Sequence, residues 1–577
     1  MGNMILPGTY IEVRAEGLIA PGQVTVGNVG VIGTAAKGPV GVPVELGSFD
    51  DATQNFYTYD AWIDGKSNEL SLVRALEQAF NHGATTVFAV RVAGSSNAAA
   101  TYKVKSASGD CVLFTAKSAG TWGNDISFNV APADDNAVIT NEGHLGNEPA
   151  PMTLKHIPIV KSARNRVILH IDATNVTKSL KLFYGGGLPD DDPGAPVAGQ
   201  VKINRATGAL AFGDAVLAAD EVTATYLVSK TDLVDPKKVI AVKVTLQLDQ
   251  RKETYTVVDG QTLVSQINDP DSGSAWITAS PLANAAELLK LSDPPLSVAN
   301  LSGGDNGEVT SAANFETGLS KILNEEAHII IAAGQADQEQ IDDVSFGAKL
   351  DQHCQVASTD EIQHERIGLV GCRLAPTVDD LRGHNLDSDR IIFVAPGIQS
   401  TDAASGKEVI LPGAYTAAAV AGLLASFPAH ISLTNKPLAV DGLQQIYTRP
   451  ELETLVESRV LVVERRNGFK IVKGITTTTD SAFSQITTRR IVDFAKFGVR
   501  SAADPFIGLL NNDRVRTALR ASINSFLAQM MDNEMLVAYD LSVSATREEQ
   551  IQGIARVNMT LQPVFSIDFI KVTMVLQ

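Results

Sequence analysis

The sequence predicts an α/β core interrupted by β-rich insertion, and three observations carry that reading. Short, fully apolar strands alternate with helical stripes before residue 95, and the same rhythm returns near residue 300. Such strands need a sheet covered on both faces. Between them, from about 101 to 300, run short alternating segments separated by Gly, Asp and Asn, the pattern of β-sandwich-like domains.

Residues 5–14, ILPGTYIEVR, read as a strand opened by a Pro-Gly turn. Thr9, Ile11 and Val13 alternate there with Tyr10, Glu12 and Arg14. Val29, Val31 and Ile32 then form a short buried strand bounded by glycines. Helical spacing follows over 70–82, where Leu72, Val73, Leu76, Ala79 and Phe80 share a stripe, and 85–92 is a β-rich run. Strand, helix and strand in this order make a βαβ unit with a parallel pair. In the insertion, DISFNV (125–130), RVILHIDA (166–173), VTATYLV (222–228) and VIAVKVTLQL (239–248) read as strands, and PDDDP (189–193) as a solvated tip. After it, Phe315–Leu323 reads as a helix, 328–334, 367–372 and 390–397 as buried strands, and 412–427 as a small-residue helix suited to close packing.

The last hundred residues are patterned most clearly. Val515, Ala518, Leu519, Ile523, Phe526, Leu527 and Met530 define an amphipathic helix over 513–531. Two strands follow. In the first, Val557, Met559 and Leu561 share a face. In the second, Phe565, Ile567 and Phe569 do so before the phase shifts to Ile570, Val572, Met574 and Leu576, which predicts a bulge near Phe569-Ile570 or two separately paired segments. An apolar strand running to the end of the sequence must be tied down or paired. Pairing within the chain and donation to a neighbour both satisfy that requirement, and the pattern does not choose between them.

At 577 residues, two to four domains are expected. A content of 44% hydrophobic and 19% charged residues fits folded protein, and a net charge of −18 argues against nucleic-acid binding. Three separated cysteines, Cys111, Cys354 and Cys372, match neither a disulfide framework nor a zinc ribbon. MGNMILPGTYIEV lacks the features of a signal peptide, and no run approaches the length that spans a bilayer, so cytoplasmic synthesis without membrane insertion is expected.

No enzyme signature survives inspection. A glycine-flanked nucleophilic serine is absent, and His353, His364 and His384 are scattered without one. SGKE (405–408) lacks the Walker spacing, and GGG (185–187) lacks the strand-to-helix setting of a dinucleotide site. His353, Cys354, His364 and Cys372 do not follow zinc spacing. No catalytic, cofactor or metal residue is therefore expected.

Five segments carry a family resemblance. LPGTYIEV (6–13) and GVIGTAAKGPVGVPVELGS (30–48) resemble the opening of contractile phage tail sheath proteins. AGTWGNDISF (119–128) looks like that family's GxWGN signature, LSGGDNG (301–307) is similar to its LxGGxDG turn, and LQPVFSIDFIKVTMVL (561–576) resembles its C-terminal arm. Trp122-Gly123-Asn124 reads as a turn with positive φ at Gly and Asn, and Gly303-Gly304-Asp305 as a tight turn.

The resemblance implies a subtilisin-like sheath core with inserted β-rich domains and extended N- and C-terminal β-strand arms. The implied layout is an N-terminal arm (1–22), a core (23–95 with 301–480) and a β-rich inserted domain (96–130 with 236–300). It continues with an outer decoration domain (131–235), a tube-facing domain (481–562) and a C-terminal arm (563–577). It also implies a structural, homo-oligomeric virion protein of a contractile tail, assembled in the host cytoplasm as stacked hexameric rings around a tail tube. Baseplate and tail terminator proteins would be further partners, and contraction would drive the tube through the target envelope. Thr9, Tyr10, Ile11 and Val13, with Phe565, Ile567, Phe569, Val572 and Met574, would be the strand-exchanging arms. Arg489, Arg490, Lys496, Arg500, Arg514, Arg516 and Arg520 concentrate positive charge in an acidic chain, and Arg514, Arg516 and Arg520 are the candidate tube contacts. The alternative reading is an α/β hydrolase, subtilisin-like, with β appendages.

Overall fold

The computed structural model describes residues 27–60, 62, 70–186, 191–192, 194–232, 234–294, 297–308, 311–341 and 344–574. The N-terminal arm, with Thr9, Tyr10, Ile11 and Val13, lies outside the described residues. The chain separates into two compact units, one taking in Met1–Gly94 and Glu308–Gln577, the other Ser95–Gly307.

The first unit is built on an eight-stranded sheet. Strands Val87–Val92, Val29–Thr34, Ile329–Ala336, Ile367–Gly371, Ile391–Ala395 and Val460–Arg465 run parallel in that spatial order. Pro43–Leu46 and Phe469–Ile471 close the two ends antiparallel. Strand periodicity divides the apolar residues between two faces. Val31, Ile329, Ile331, Leu369, Ile392, Val394 and Leu461 pack beneath the helices Leu72–Asn81 and Gly413–Ala425. Ile32, Ile330, Val370, Ile391, Phe393 and Val462 pack beneath Ala312–Lys321, Phe346–Ala357 and Arg449–Glu457. The expected βαβ pair is present as Val29–Thr34 beside Val87–Val92, in parallel register. The 413–425 helix is apolar and buried almost throughout, and Gly422 lets it meet the 72–81 helix closely. A Cβ there would lie 2.1 Å from the Ala79 carbonyl oxygen.

The second unit holds three antiparallel-dominated sheets. The largest orders Leu210–Phe212, Gln200–Asn204, Val176–Gly185, Arg166–Ile171, Glu221–Val228 and Ala137–Leu145 around one apolar core. Within this unit the segments around Trp122 and Gly304 meet. Thr121–Asp125 forms a 3-10 turn whose indole, on Trp122, is buried and donates to the Ser118 carbonyl at 3.2 Å. Asn124 donates to the Gly304 carbonyl at 2.8 Å and accepts from the Gly304 amide at 2.9 Å.

Two expectations need correction here. Positive φ falls on Gly120 and Gly303 and not on Gly123 or Asn124; Gly123 is needed for space, since a Cβ would lie 2.7 Å from Ala100 Cβ. Asp191 and Asp192 are not a solvated tip. Asp191 pairs with Arg205 at 3.1 Å, and Asp192 accepts the Tyr184 amide at 3.1 Å. SGKE sits on the turn and second strand of a hairpin, Ile398–Asp402 with Lys407–Leu411, which periodicity had not distinguished.

Candidate functional site at the C-terminal module

The site is assembled from the end of the first unit. Helix Ile486–Ala503 docks through charge. Arg390 forks onto Asp493 at 2.9 and 3.1 Å, while Arg489 bridges Asp493 and Asp389, each at 2.8 Å. Arg490 is buried against the carbonyls of Phe427 (3.1 Å) and Pro428 (3.4 Å), and burial pushes its guanidinium down to about 10. Burial alone would raise the Glu365 carboxyl, but Lys496 at 2.9 Å and Arg500 at 2.6 Å hold it below its ordinary value. Four of the seven cations singled out in the sequence therefore face internal partners.

The remaining three lie on helix Asp513–Asp532, capped by Asn512, whose side chain accepts the Val515 amide at 3.0 Å. Arg514 and Arg520 are exposed. Arg516 folds back on its own helix start, donating to Asn511 Oδ1 at 2.7 Å and pairing with Asp513, which leaves its side chain 11% exposed. On the opposite face Leu519, Ile523, Phe526, Leu527 and Met530 are buried, as the spacing predicts. Phe526 stacks on Phe494 with centroids 5.8 Å apart. A Cβ on Gly498 would lie 1.8 Å from the Phe526 ring, so the two helices approach through that glycine.

Leu536–Ser544 and Arg556–Pro563 then pair antiparallel as a sheet of two strands. Leu536 and Leu541 are buried against the helices, with Tyr539, Val543, Val557 and Leu561 packed partly around them. Among the described residues each strand pairs only with the other, so each presents an edge there.

Beyond Pro563 the expected second strand has no strand partner among the described residues. Val564 donates its amide to the Met535 carbonyl at 3.1 Å, and residues 564–574 belong to no sheet. The anticipated bulge is replaced by an extended segment whose apolar side chains face solvent. Phe565 is 59% exposed, and Ile567, Phe569, Ile570, Val572 and Met574 are 75–86% exposed. Alternation records an apolar face, but it is blind to what covers that face, and no strand forms over 564–574.

The three buried cysteines are free, burial raises their thiols, and Cys354 and Cys372 are pushed up to about 12. His353 accepts from Arg366 at 3.2 Å, and His384 Nε2 lies 2.6 Å from the Ser458 carbonyl. Among the described residues no group of three or more His, Cys, Asp or Glu could hold a metal, and no helix is long and apolar enough to cross a membrane.

Comparison with known proteins falls on this module and on the fold. Residues 478–577 match the phage tail sheath C-terminal domain family. The tail sheath protein of Staphylococcus phage Twort is 24% identical over 367 residues, 60% of this chain and 58% of that protein. The chain thus spans little more than half the length of that relative. Two crystal structures share the fold along nearly the whole chain. The sheath tail protein of Listeria innocua superposes with a TM-score of 0.58 at 15% identity, covering 96% of this chain and 95% of that one. The sheath tail protein of Desulfitobacterium hafniense gives 0.56 at 14% identity, covering 96% and 100%.

Proposed function

We propose, from a C-terminal hundred residues that match the phage tail sheath C-terminal domain and a fold shared with sheath tail proteins, that this chain is a structural subunit of a contractile tail sheath. It polymerises as stacked hexameric rings around a tail tube, capped by terminator and baseplate proteins, and contracts to drive the tube through an envelope. Assembly takes place in the host cytoplasm and the product is part of the virion. Residues 481–562 face the tube, and 1–22 and 563–577 are arms that add strands to the sheet of a neighbour.

The observation that carries this reading is the exposed segment 564–574, set beside a two-stranded sheet with open edges. An apolar exposed segment beside such a sheet supports a donor and acceptor reading, since strand addition satisfies backbone groups while alternate side chains set register. Covering each large aliphatic or aromatic side chain returns about 1.5–3 kcal/mol before ordering costs. Repeated through a polymer, such gains supply work without a nucleotide.

Deleting Leu6–Arg14 or Phe565–Gln577 should leave a folded monomer that forms no tubes by negative-stain electron microscopy. Tubes of normal diameter from both deletions would defeat the proposal. For the tube contact, Arg514 and Arg520 are the more accessible members of the basic set. Reversing the charge of Arg514, Arg516 and Arg520 together should weaken assembly on the tube in a salt-dependent way, and an unchanged salt response would reject that contact.

A further inference from the structure

The C-terminal segment is held the wrong way round for an isolated chain. Ser566 and Asp568 face the body, while Phe565, Ile567, Phe569 and Ile570 face water. Asp568, with 12% of its side chain exposed, accepts hydrogen bonds from Thr434 Oγ1, Gln485 Nε2 and Ser566 Oγ, each at 3.3 Å, and lies 3.7 Å from Lys473 Nζ. The other atom of the Gln485 amide accepts from the Ser566 backbone at 3.3 Å. Lys473 also stands over the Phe569 ring, 5.6 Å from its centroid. The three holders come from separate places in the first unit. Thr434 follows the 413–425 helix, Lys473 follows the Phe469–Ile471 strand, and Gln485 is the residue that opens the Ile486–Ala503 helix.

Gln485 is itself informative. Helices prefer Ser, Thr, Asp or Asn at that position because a short side chain reaches the free amides of the first turn. Gln485 makes no such capping bond; its amide is turned onto the tail instead. A tail with no strand partner would sample many conformations, at about 1–2 kcal/mol of backbone entropy for each residue fixed. The hydrogen bonds and ion pair at Asp568, with the Ser566 amide on Gln485, oppose that disorder at one point of the segment.

We propose that Asp568 is a latch that sets the direction in which the C-terminal strand leaves its own subunit and turns the face bearing Phe565, Ile567 and Phe569 outward to a second copy of this chain. This rests on the reading of the segment as a donated arm and adds to it a positioning residue. The arm then leaves its subunit along a fixed line, so the hold at Asp568 transmits orientation between copies.

The test uses the full chain. In the monomeric fraction, Asp568→Ala should speed amide hydrogen exchange at Ser566, whose amide is held by Gln485, by about tenfold or more, the factor expected on losing one hydrogen bond to a charged group. Exchange in the 486–503 helix and the eight-stranded sheet should not change. Lys473→Met removes the charge from the body side and should act in the same direction, which keeps the test informative if the first variant is poorly soluble. On assembly, both variants should give fewer tubes, or tubes of irregular pitch by electron microscopy. Unchanged exchange at Ser566 in both variants would overturn the latch. Faster exchange with tubes of normal yield and pitch would overturn its positioning role. Phe569→Asp with Asp568 intact tests the underlying reading separately: normal tubes from that variant would remove the donated arm itself.

Discussion

Asp493 is the most consequential single side chain in the junction between the α/β body and the C-terminal module. It lies between Arg390 and Arg489, and all three are buried. A carboxylate in that position neutralises two buried guanidiniums, so removing it leaves Arg390 without its carboxylate and Arg489 with Asp389 alone. Asp493→Ala is expected to cost about 3–5 kcal/mol in urea unfolding. The histidines behind the junction set a pH limit. Burial, then the charges of Arg366 and Arg490 and the neighbouring His364, lower His328 to about 4 against a small opposing pull from Glu365. Burial and Arg366 lower His353 to about 3. Both are therefore neutral in the folded state and take up a proton on unfolding once the pH drops below about 6.5. The stability they permit is fully present above that pH and is lost progressively as pH falls toward the folded values. His353→Gln should reduce the slope of unfolding free energy against pH between 6 and 4 by about 1.4 kcal/mol per pH unit. An unchanged slope would mean that His353 is already charged in the fold.

At the scale of elements, two glycines decide how closely helices pack. Gly422→Ala would place a methyl on the Ala79 carbonyl oxygen, and neither backbone can retreat without parting helix from helix. Overpacking of that kind costs about 1–3 kcal/mol, measurable as a lowered urea midpoint with an unchanged slope. The small-residue composition of 412–427 already announced close packing in the sequence. Likewise the i, i+3, i+4 stripe of 513–531 and the apolar runs at 328–334, 367–372 and 390–397 identified elements that the structure contains. Such signals survive because a buried face leaves a periodic record. Other features leave none. Asn124 and Gly304 are 180 positions apart, yet their paired hydrogen bonds explain why two short signatures accompany one another. Arg489, Arg490, Lys496 and Arg500 look like a surface patch in one dimension because their carboxylate and carbonyl partners lie far away in sequence. The tail reads equally well as an internal strand, since its alternation is the same whichever face is covered.

At the scale of the whole molecule, the β-rich unit leaves the α/β unit and returns to it through neighbouring points. Ala98 and Asp305 exchange backbone hydrogen bonds at 3.0 and 2.9 Å within the inserted unit, and a Cβ on Gly94 would lie 2.4 Å from the Glu308 carbonyl within the other. An insertion whose ends meet imposes little loop-closure cost on its host, because a short bridge can span the same gap. Among the described residues, the large apolar clusters of each unit are drawn from that unit's own side chains. Replacing Ser95–Gly307 by a short Gly-Ser linker should therefore leave the α/β unit and its C-terminal module cooperatively folded, with a melting temperature within about 5 °C of that transition in the full chain. The same shortened chain asks what the insertion contributes to assembly. The proposed donor segment, acceptor sheet and latch all lie outside 95–307, so the linker variant should still form tubes. Folded monomers that never polymerise would instead place an essential subunit contact on the inserted unit.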